Sequence, residues 1–593
     1  MEKKIRFALM VFLTFVLVAP VAAASNQQKI FSLDSDVHQA IEFLYMAQGL
    51  GLPSTTGPYS QAELTLMMEK INRAQLNENL LPTYDYVVKQ LGIEPKIQGK
   101  GIGISWDFDA TLEAYLHSNT TDFVGRETWI RGFNEQKPLL GVALETWPAN
   151  NFYGYSEFTV GNTNTLENGF GSSVFGSNIF MVPPAVMTDL DFNMPYRAFV
   201  AAGGDHWSFQ LGRDRLNWGA GTSGNLAMSD TLKYHNLARV TTFSDRFKYT
   251  FVTSFFPHQM HYISNLDSNG DNTDGAILGT GQGTLQTGLH LFMSHRLEGR
   301  LFKDKVGLAL TESIMYQSKE NYFDLRFLNP AGIFHDYYIR SNANSILALE
   351  LDYTPIKGLN IYAQGIVDEF TMPGEPKATA TKAAYPEAFG VLAGVKGVLP
   401  FSQVVGHASL EFAHTDPYLY LRYSEENNPT AGKFDDYGLN YVGVVREFTN
   451  TSGTYYNPGF LGYTYGNDAI VVNLNGGVKS FGKWTASTNL FYMAHGTFDM
   501  FTVWRPVGGG NPLDVTTPTS NGSAAFGNYH DKDYADRTAV SHTIVAGVKG
   551  SYQILDCLKA FGQLDYINVI NYQNKAGAKT HDVQLSIGVT YSL

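Results

Sequence analysis

The stretch His581-Asp582-Val583-Gln584-Leu585-Ser586-Ile587-Gly588-Val589-Thr590-Tyr591-Ser592-Leu593 decides the fold. Val583, Leu585, Ile587, Val589, Tyr591 and Leu593 are apolar, whereas Gln584, Ser586, Gly588, Thr590 and Ser592 between them are polar or small. A period of two belongs to a β-strand with one greasy face and one wet face. The edge of a soluble sandwich or the closing strand of a barrel can carry that pattern. Tyr591 near the end, with no polar tail after it, favours the closing strand.

The opposite end points the same way. Glu2-Lys3-Lys4-Ile5-Arg6 is a basic n-region, Phe7 to Val18 an unbroken apolar core, and Pro20 to Ala24 a small-residue cleavage site. Residues 1–24 therefore read as a secretory signal, too short and wrongly flanked for a spanning helix. No Cys follows the site, which argues against a lipid anchor, and Cys557 is alone, so no intramolecular disulfide forms. The chain has 34 Tyr, 39 Phe and 58 Gly but only 16% charged residues. No later apolar run reaches the roughly 20 residues of a membrane helix. An exported chain of this composition fits a transmembrane β-barrel, whose lipid-facing residues alternate with a polar lumen face. The formal charge of −13 includes a net +2 from the signal, which leaves −15 and excludes a nucleic-acid partner.

Two regions differ in period. Residues 25–95 form a helical module, expected in the periplasm. Val37, Ile41, Leu44 and Tyr45 share one face, and Gly49 to Pro53 ends that helix. Ser60 is the N-cap of a second helix with Glu63 at capping-box spacing, and Leu64, Met67, Met68 and Ile71 form its apolar face. A third helix runs from about Pro82 to Leu91. From about Gly101 the period becomes two. Leu347, Leu349, Leu351 and Tyr353 alternate with Glu350 and Asp352; Ile361, Ala363, Gly365 and Val367 alternate with Asn360, Tyr362, Gln364 and Asp368. About twenty such stretches occur. Residues 96–593 therefore predict an all-β transmembrane barrel of about 18 antiparallel strands in the outer membrane. Thr354 to Gly358 and Phe481 to Lys483 are short turns. Ser264 to Gln286, Met372 to Glu387, Thr415 to Asp436 and Trp504 to Arg537 are long polar outer loops.

The densest polar segment runs from Leu211 to Asp230. It packs Arg213, Asp214, Arg215, Asn217 and Trp218 into six residues, with glycines that permit tight turns and Asn225 beyond. Guanidinium grips carboxylate in bidentate fashion, and an indole face stacks on a sugar ring, so the group suits anionic glycans. The alternative is an inward-folded loop whose Arg–Asp pairs brace the lumen wall.

Gly212-Arg213-Asp214-Arg215, Trp218-Gly219-x-Gly221, Gly224-Asn225-Leu226 and Ser229-Asp230 together resemble the signature of Wzi-type capsule-assembly outer-membrane proteins. Further matches follow in order: His295 to Glu298, Thr311-Glu312-Ser313, Phe323 to Pro330 with His335, then Ile361 to Gln364 and Asp368 to Phe370. The Gly49-Leu50 turn and Pro58-Tyr59-Ser60-x-x-Glu63 match that family's helical module. The resemblance covers about 40% of the chain. It implies an 18-stranded barrel, helices near the periplasmic mouth, and a lectin-like role in holding surface polysaccharide. Asp324, Arg326 and Asp368 join the candidate ligand set as lumen partners.

Other chemistry is weaker. Asp267-x-Asn269-x-Asp271 has calcium-loop spacing, but Asn272 replaces the glycine and Leu278 the bidentate Glu. His206, His235, His258 and His261 lack a structural-zinc pattern. Ser229-Asp230 near His235 has no nucleophile elbow. The sequence therefore predicts a non-catalytic barrel without metal or cofactor that binds or organises surface polysaccharide. Outer-membrane lipid and the barrel-insertion machinery are its other partners. A porin-like solute channel and a surface adhesin are the alternatives.

Overall fold

The computed structural model describes residues 28–99, 101–123, 137–149, 151–160, 174–178, 197–256, 289–318, 334, 343–370, 387–422, 439–449, 453–500 and 537–593. The expected signal, the calcium-like loop, His258 and His261 lie outside them. So do nearly all of the loops 264–286, 372–387 and 504–537.

The wall has 18 antiparallel strands. They are β1 (Ile102–His117), β2 (Leu140–Ala149), β3 (Phe152–Val160), β4 (Ala198–Gly204), β5 (Trp207–Asp214) and β6 (His235–Phe243). Next come β7 (Phe247–Phe256), β8 (Leu289–Leu301), β9 (Val306–Ser318), β10 (Ala343–Ile356), β11 (Leu359–Glu369) and β12 (Ala388–Phe401). The last six are β13 (Val404–Thr415), β14 (Ala469–Ser480), β15 (Trp484–His495), β16 (Ser541–Leu555), β17 (Leu558–Ile570) and β18 (Lys579–Ser592). β18 pairs with β1 from Gln584↔His117 to Ser592↔Asp109, and the sheet has no free edge. The alternating stretch read from the sequence is thus the strand that closes the barrel. Val442–Thr449 and Gly453–Phe460 pair in a separate hairpin that is not part of the wall.

Burial runs opposite to that of a soluble protein. On β10, Leu347, Leu349, Leu351 and Tyr353 are exposed, while Glu350 and Asp352 between them are buried. On β11, Asn360, Tyr362, Gln364 and Asp368 are buried and Ile361 is exposed. A belt of apolar side chains facing outward implies a lipid environment, and the inward polar ones need partners inside. No described helix is long and apolar enough to cross a membrane.

Three helices stand at the end of the barrel that carries the short turns. Helix α1 (Asp36–Gln48) is capped by Ser35, whose hydroxyl accepts from Val37 N. It stops at Gly49, whose φ of 81° suits a residue without Cβ. Helix α2 (Gln61–Glu69) begins at the predicted cap, with Ser60 Oγ accepting from Glu63 N at 3.3 Å. The Glu63 carboxylate bonds Lys248 of β7 instead of turning back to close a capping box. Helix α3 spans Leu81–Leu91. Gly358 N donates to Met46 O, Gly51 N to Asp304 O, and Phe481 packs on Phe43 and Tyr86, so the helices rest on the short turns.

The outer wall has one exception to its exposed belt. Leu291 and Met293 of β8 and Ile314 of β9 face outward yet are fully buried, packed with Ala343 and Phe334. On the same face His295 bonds Glu312 at 2.8 Å, with the Phe334 ring tilted against the imidazole at 4.9 Å. Phe334 of the β9–β10 connection therefore covers part of the outer wall beside this polar pair.

Candidate functional site: the filling of the lumen

After β5 the chain turns into the barrel. Asn217 and Trp218 pair with Gly57 and Thr56 of the helical module, and Trp218 N donates to Met228 O. The segment then reaches the far wall. Thr222 N and Ser223 N donate to Glu411 of β13 at 2.8 Å, and Leu226 N donates to Gln364 of β11 at 2.9 Å. Gly219 and Gly224 have φ of 136° and 137°, and a Cβ on Gly219 would stand 2.2 Å from Asn225 Oδ1. Only glycine permits that approach.

The candidate residues mostly hold this segment in place. Asp214 is buried, accepts from Arg197 at 2.9 Å and from Gln210 at 2.7 Å. Arg215 forks onto Asp34 of the module at 2.9 Å and reaches Asp230 at 2.6 Å. Asn217 accepts from Asn225, which in turn accepts from Gly221 N and Gln364. Trp218 is 1% exposed, sealed in the central core. Asp368 accepts from Tyr420 N at 2.9 Å. Arg213 differs: it lies on the outward face of β5 with Leu211, donates to Asn236 and stacks on Tyr234 at 4.4 Å. Asp324 and Arg326 lie outside the described residues. The inward-folded alternative describes this geometry.

The segment expected as an outer loop from Thr415 to Asp436 needs correction over its first part. Tyr418, Leu419, Tyr420 and Leu421 are buried, and the Tyr420 hydroxyl donates to Leu226 O at 2.7 Å. Tyr441 donates to Ala227 O at 2.8 Å. A run of aromatics within a polar stretch was the available signal, because an apolar ring folds inward wherever a cavity offers contact. His206 and His235 stand at opposite ends of strands. His235 meets Ser254 at 3.2 Å.

The motif His295 to Glu298 divides between the two faces of the wall. His295 serves the outer pair described above, while Arg296 and Glu298 point inward. Arg296, 2% exposed, donates to Glu298, Glu350 and Thr311, each at 3.1 Å, and to Thr55 of the module at 2.8 Å. Thr56 also donates to Glu298. Arg300 joins Asp352 at 3.2 Å and Pro53 O at 2.6 Å. Such charges survive burial only when matched and hydrogen-bonded. Composition alone did not single out this cluster, although the motif residues carried it.

The module is clamped by further pairs around its rim. Asp36 meets Lys479 at 2.6 Å, Glu42 meets Lys396 at 2.8 Å, Lys70 meets Asp304 at 3.2 Å, and Lys29 meets Glu145 at 3.0 Å. Burial pushes the Glu42 carboxyl up, but the Lys396 ammonium outweighs it and holds the group below its ordinary value. Glu63 ends above its ordinary value, since burial outweighs Lys248 there.

No protein-family model matches the chain, and no curated protein matches it. Among solved structures it is similar to Wzi of Escherichia coli, described as an outer-membrane protein involved in group 1 capsule assembly and a carbohydrate-binding β-barrel. The TM-score is 0.55 at 13% identity, over 95% of this chain and 98% of that one. The Pseudomonas aeruginosa protein OccD3 follows at a TM-score of 0.37 and 10% identity, over 83% and 91%. The chain is an 18-stranded antiparallel barrel with a Wzi-like fold.

Proposed function

We propose that this protein is a non-catalytic outer-membrane barrel that binds or organises surface polysaccharide, with its helices at the periplasmic mouth. The observation that carries the reading is the filling of the lumen. The module and the Arg215–Leu232 segment are built into the wall by matched buried charges, as suits a fixed scaffold more than a conduit. Likeness in fold to a carbohydrate-binding barrel over nearly the whole chain adds support. In this reading Asp214, Asn217, Trp218, Asn225 and Asp368 hold a rigid platform. Arg215 is the partly exposed cation at its rim, and Arg213, on the outward face of the wall, belongs with Asp324 and Arg326 to the same ligand set. Deleting the gene is expected to release cell-bound polysaccharide into the medium; unchanged retention would sink the proposal.

One observation favours a channel instead. The inner faces of β16 and β17 carry exposed lysines, so one sector of the lumen stays wet. Planar-bilayer recording separates the two: a steady open conductance supports the channel, a silent barrel the scaffold.

A further inference from the structure

The inward lysines fall into two sets. Beneath the helices, Lys248, Lys396 and Lys479 each hold a carboxylate of the module, Glu63, Glu42 and Asp36. Across the lumen, Lys137, Lys549 and Lys559 are exposed, and among the described residues none has an ion pair or a side-chain hydrogen bond. The pleat fixes where the strand lysines point. Val545 and Ile567 are buried in the central core while Val548 and Leu564 face lipid, so Lys549 of β16 and Lys559 of β17 face the lumen.

Register brings them together. Lys549 is opposite Gln563, Ser551 opposite Phe561, and Gln553 opposite Lys559, in successive pairs on one face. Alternate residues along a strand lie about 6.6 Å apart. The Lys137 ammonium sits 5.2 Å from the centre of the Phe561 ring. Three cations thus surround an aromatic face, bordered by two glutamines, on the inner wall near the short turns. The nearby carboxylates are engaged: Asp107 with Lys96, Asp109 with the Ser592 hydroxyl, Glu113 with the Ser586 hydroxyl and the Lys137 backbone N–H, and Asp565 with the Gln563 amide. In a chain of net charge −13, unmatched cations gathered round a ring and amides select an anionic, hydroxyl-rich partner.

We propose that Lys137, Lys549, Lys559 and Phe561 form a binding site, on the lumen wall, for a carboxylate-bearing saccharide chain. Ammonium groups meet the uronate carboxylates, the Phe561 ring meets an apolar sugar face, and the amide oxygens of Gln553 and Gln563, whose nitrogens already donate to Leu555 O and Asp565, accept from hydroxyls. The assignment deepens the polysaccharide reading and rests on it.

The test uses the full chain in detergent, with tetragalacturonate as the carboxylated probe and maltotetraose as the neutral one, followed by calorimetry at low salt. The wild type should prefer tetragalacturonate. Lys549→Gln/Lys559→Gln should lose about tenfold in affinity for it, whereas Lys549→Arg/Lys559→Arg should keep most of it. All variants should retain the folded, heat-modifiable gel mobility. Equal binding of both probes by the wild type, no binding at all, or an unchanged affinity in the Gln pair would overturn the site. Retention of polysaccharide by cells lacking the gene judges the parent reading separately, so either can fail while the other stands.

Discussion

The inner wall of β8 to β10 and the inner wall of β16 and β17 obey the same alternation, yet their polar residues have opposite fates. In the first, Arg296, Glu298, Glu350 and Asp352 are buried and cross-linked to one another and to the helical module. In the second, Lys549 and Lys559 stand in the open. Among the described residues, helices and the infolded segment occupy one sector of the lumen, and the lysines of the other are exposed. A period of two decides only that a side chain points inward. What it meets there is set by chain that comes from hundreds of residues away, as in the contact of Thr55 with Glu350.

Substitutions should feel that difference. Arg296→Met leaves Glu298 and Glu350 buried without their guanidinium, and is expected to cost about 3–5 kcal/mol. Denaturant unfolding of the folded barrel in detergent measures it. A loss below about 1 kcal/mol would show that water reaches this wall as well and would erase the contrast. Gly219→Ala drives a methyl into Asn225 and Gln364 from a backbone conformation other residues avoid, at an expected cost of about 1–3 kcal/mol. Its effect should concentrate in hydrogen exchange of residues 215–230.

A pH effect sharpens the comparison at the opposite end. Burial pushes the Asp468 carboxyl up to about 8, against the pull of the Phe498 and Thr497 N–H groups, with Asp416 and Asp499 adding to the rise. The folded state then keeps a proton that the unfolded chain releases near pH 4. Stability from this group is full below that value and is lost as pH rises towards 8. Amide exchange around residues 496–498 should speed up between pH 5 and 8 beyond its intrinsic pH dependence, and Asp468→Asn should remove the excess. An identical profile in that variant would place the titration elsewhere. The smallest effect is expected from Lys549→Met, within about 0.5 kcal/mol, because an exposed, unpaired lysine leaves nothing uncompensated behind. A large loss there would mean that the wet sector is packed after all.

Much of the wall was legible. The strand read over Ser345 to Tyr353 extends to Ala343–Ile356, and that over Leu558 to Tyr566 extends to Leu558–Ile570. Alternation weakens at strand ends, where Thr354, Ile356 and Asn568 no longer declare a face. Ser60 capped its helix as expected, since capping is a local hydrogen bond. The fate of Glu63 was not legible, because Lys248 lies 185 residues away and burial made that pairing worth more than closing the cap. The density of charge around Arg213 marked a segment that folds into the lumen. It could not reveal that Arg213 turns outward while its neighbour Asp214 turns inward to Arg197.

The sequence by itself determined a closed sheet with a lipid face and a polar face. Side-chain alternation is local geometry, and strands with an apolar outer face in a membrane must satisfy their backbone by pairing with one another. Tertiary structure decided which polar residues became braces and which stayed available. A buried charge is tolerable only beside its partner, and the partners of Arg215, Arg296 and Lys248 come from the helical module and distant strands. The module's carboxylates went to Lys248, Lys396 and Lys479, whereas Lys137, Lys549 and Lys559 have no ion pair among the described residues.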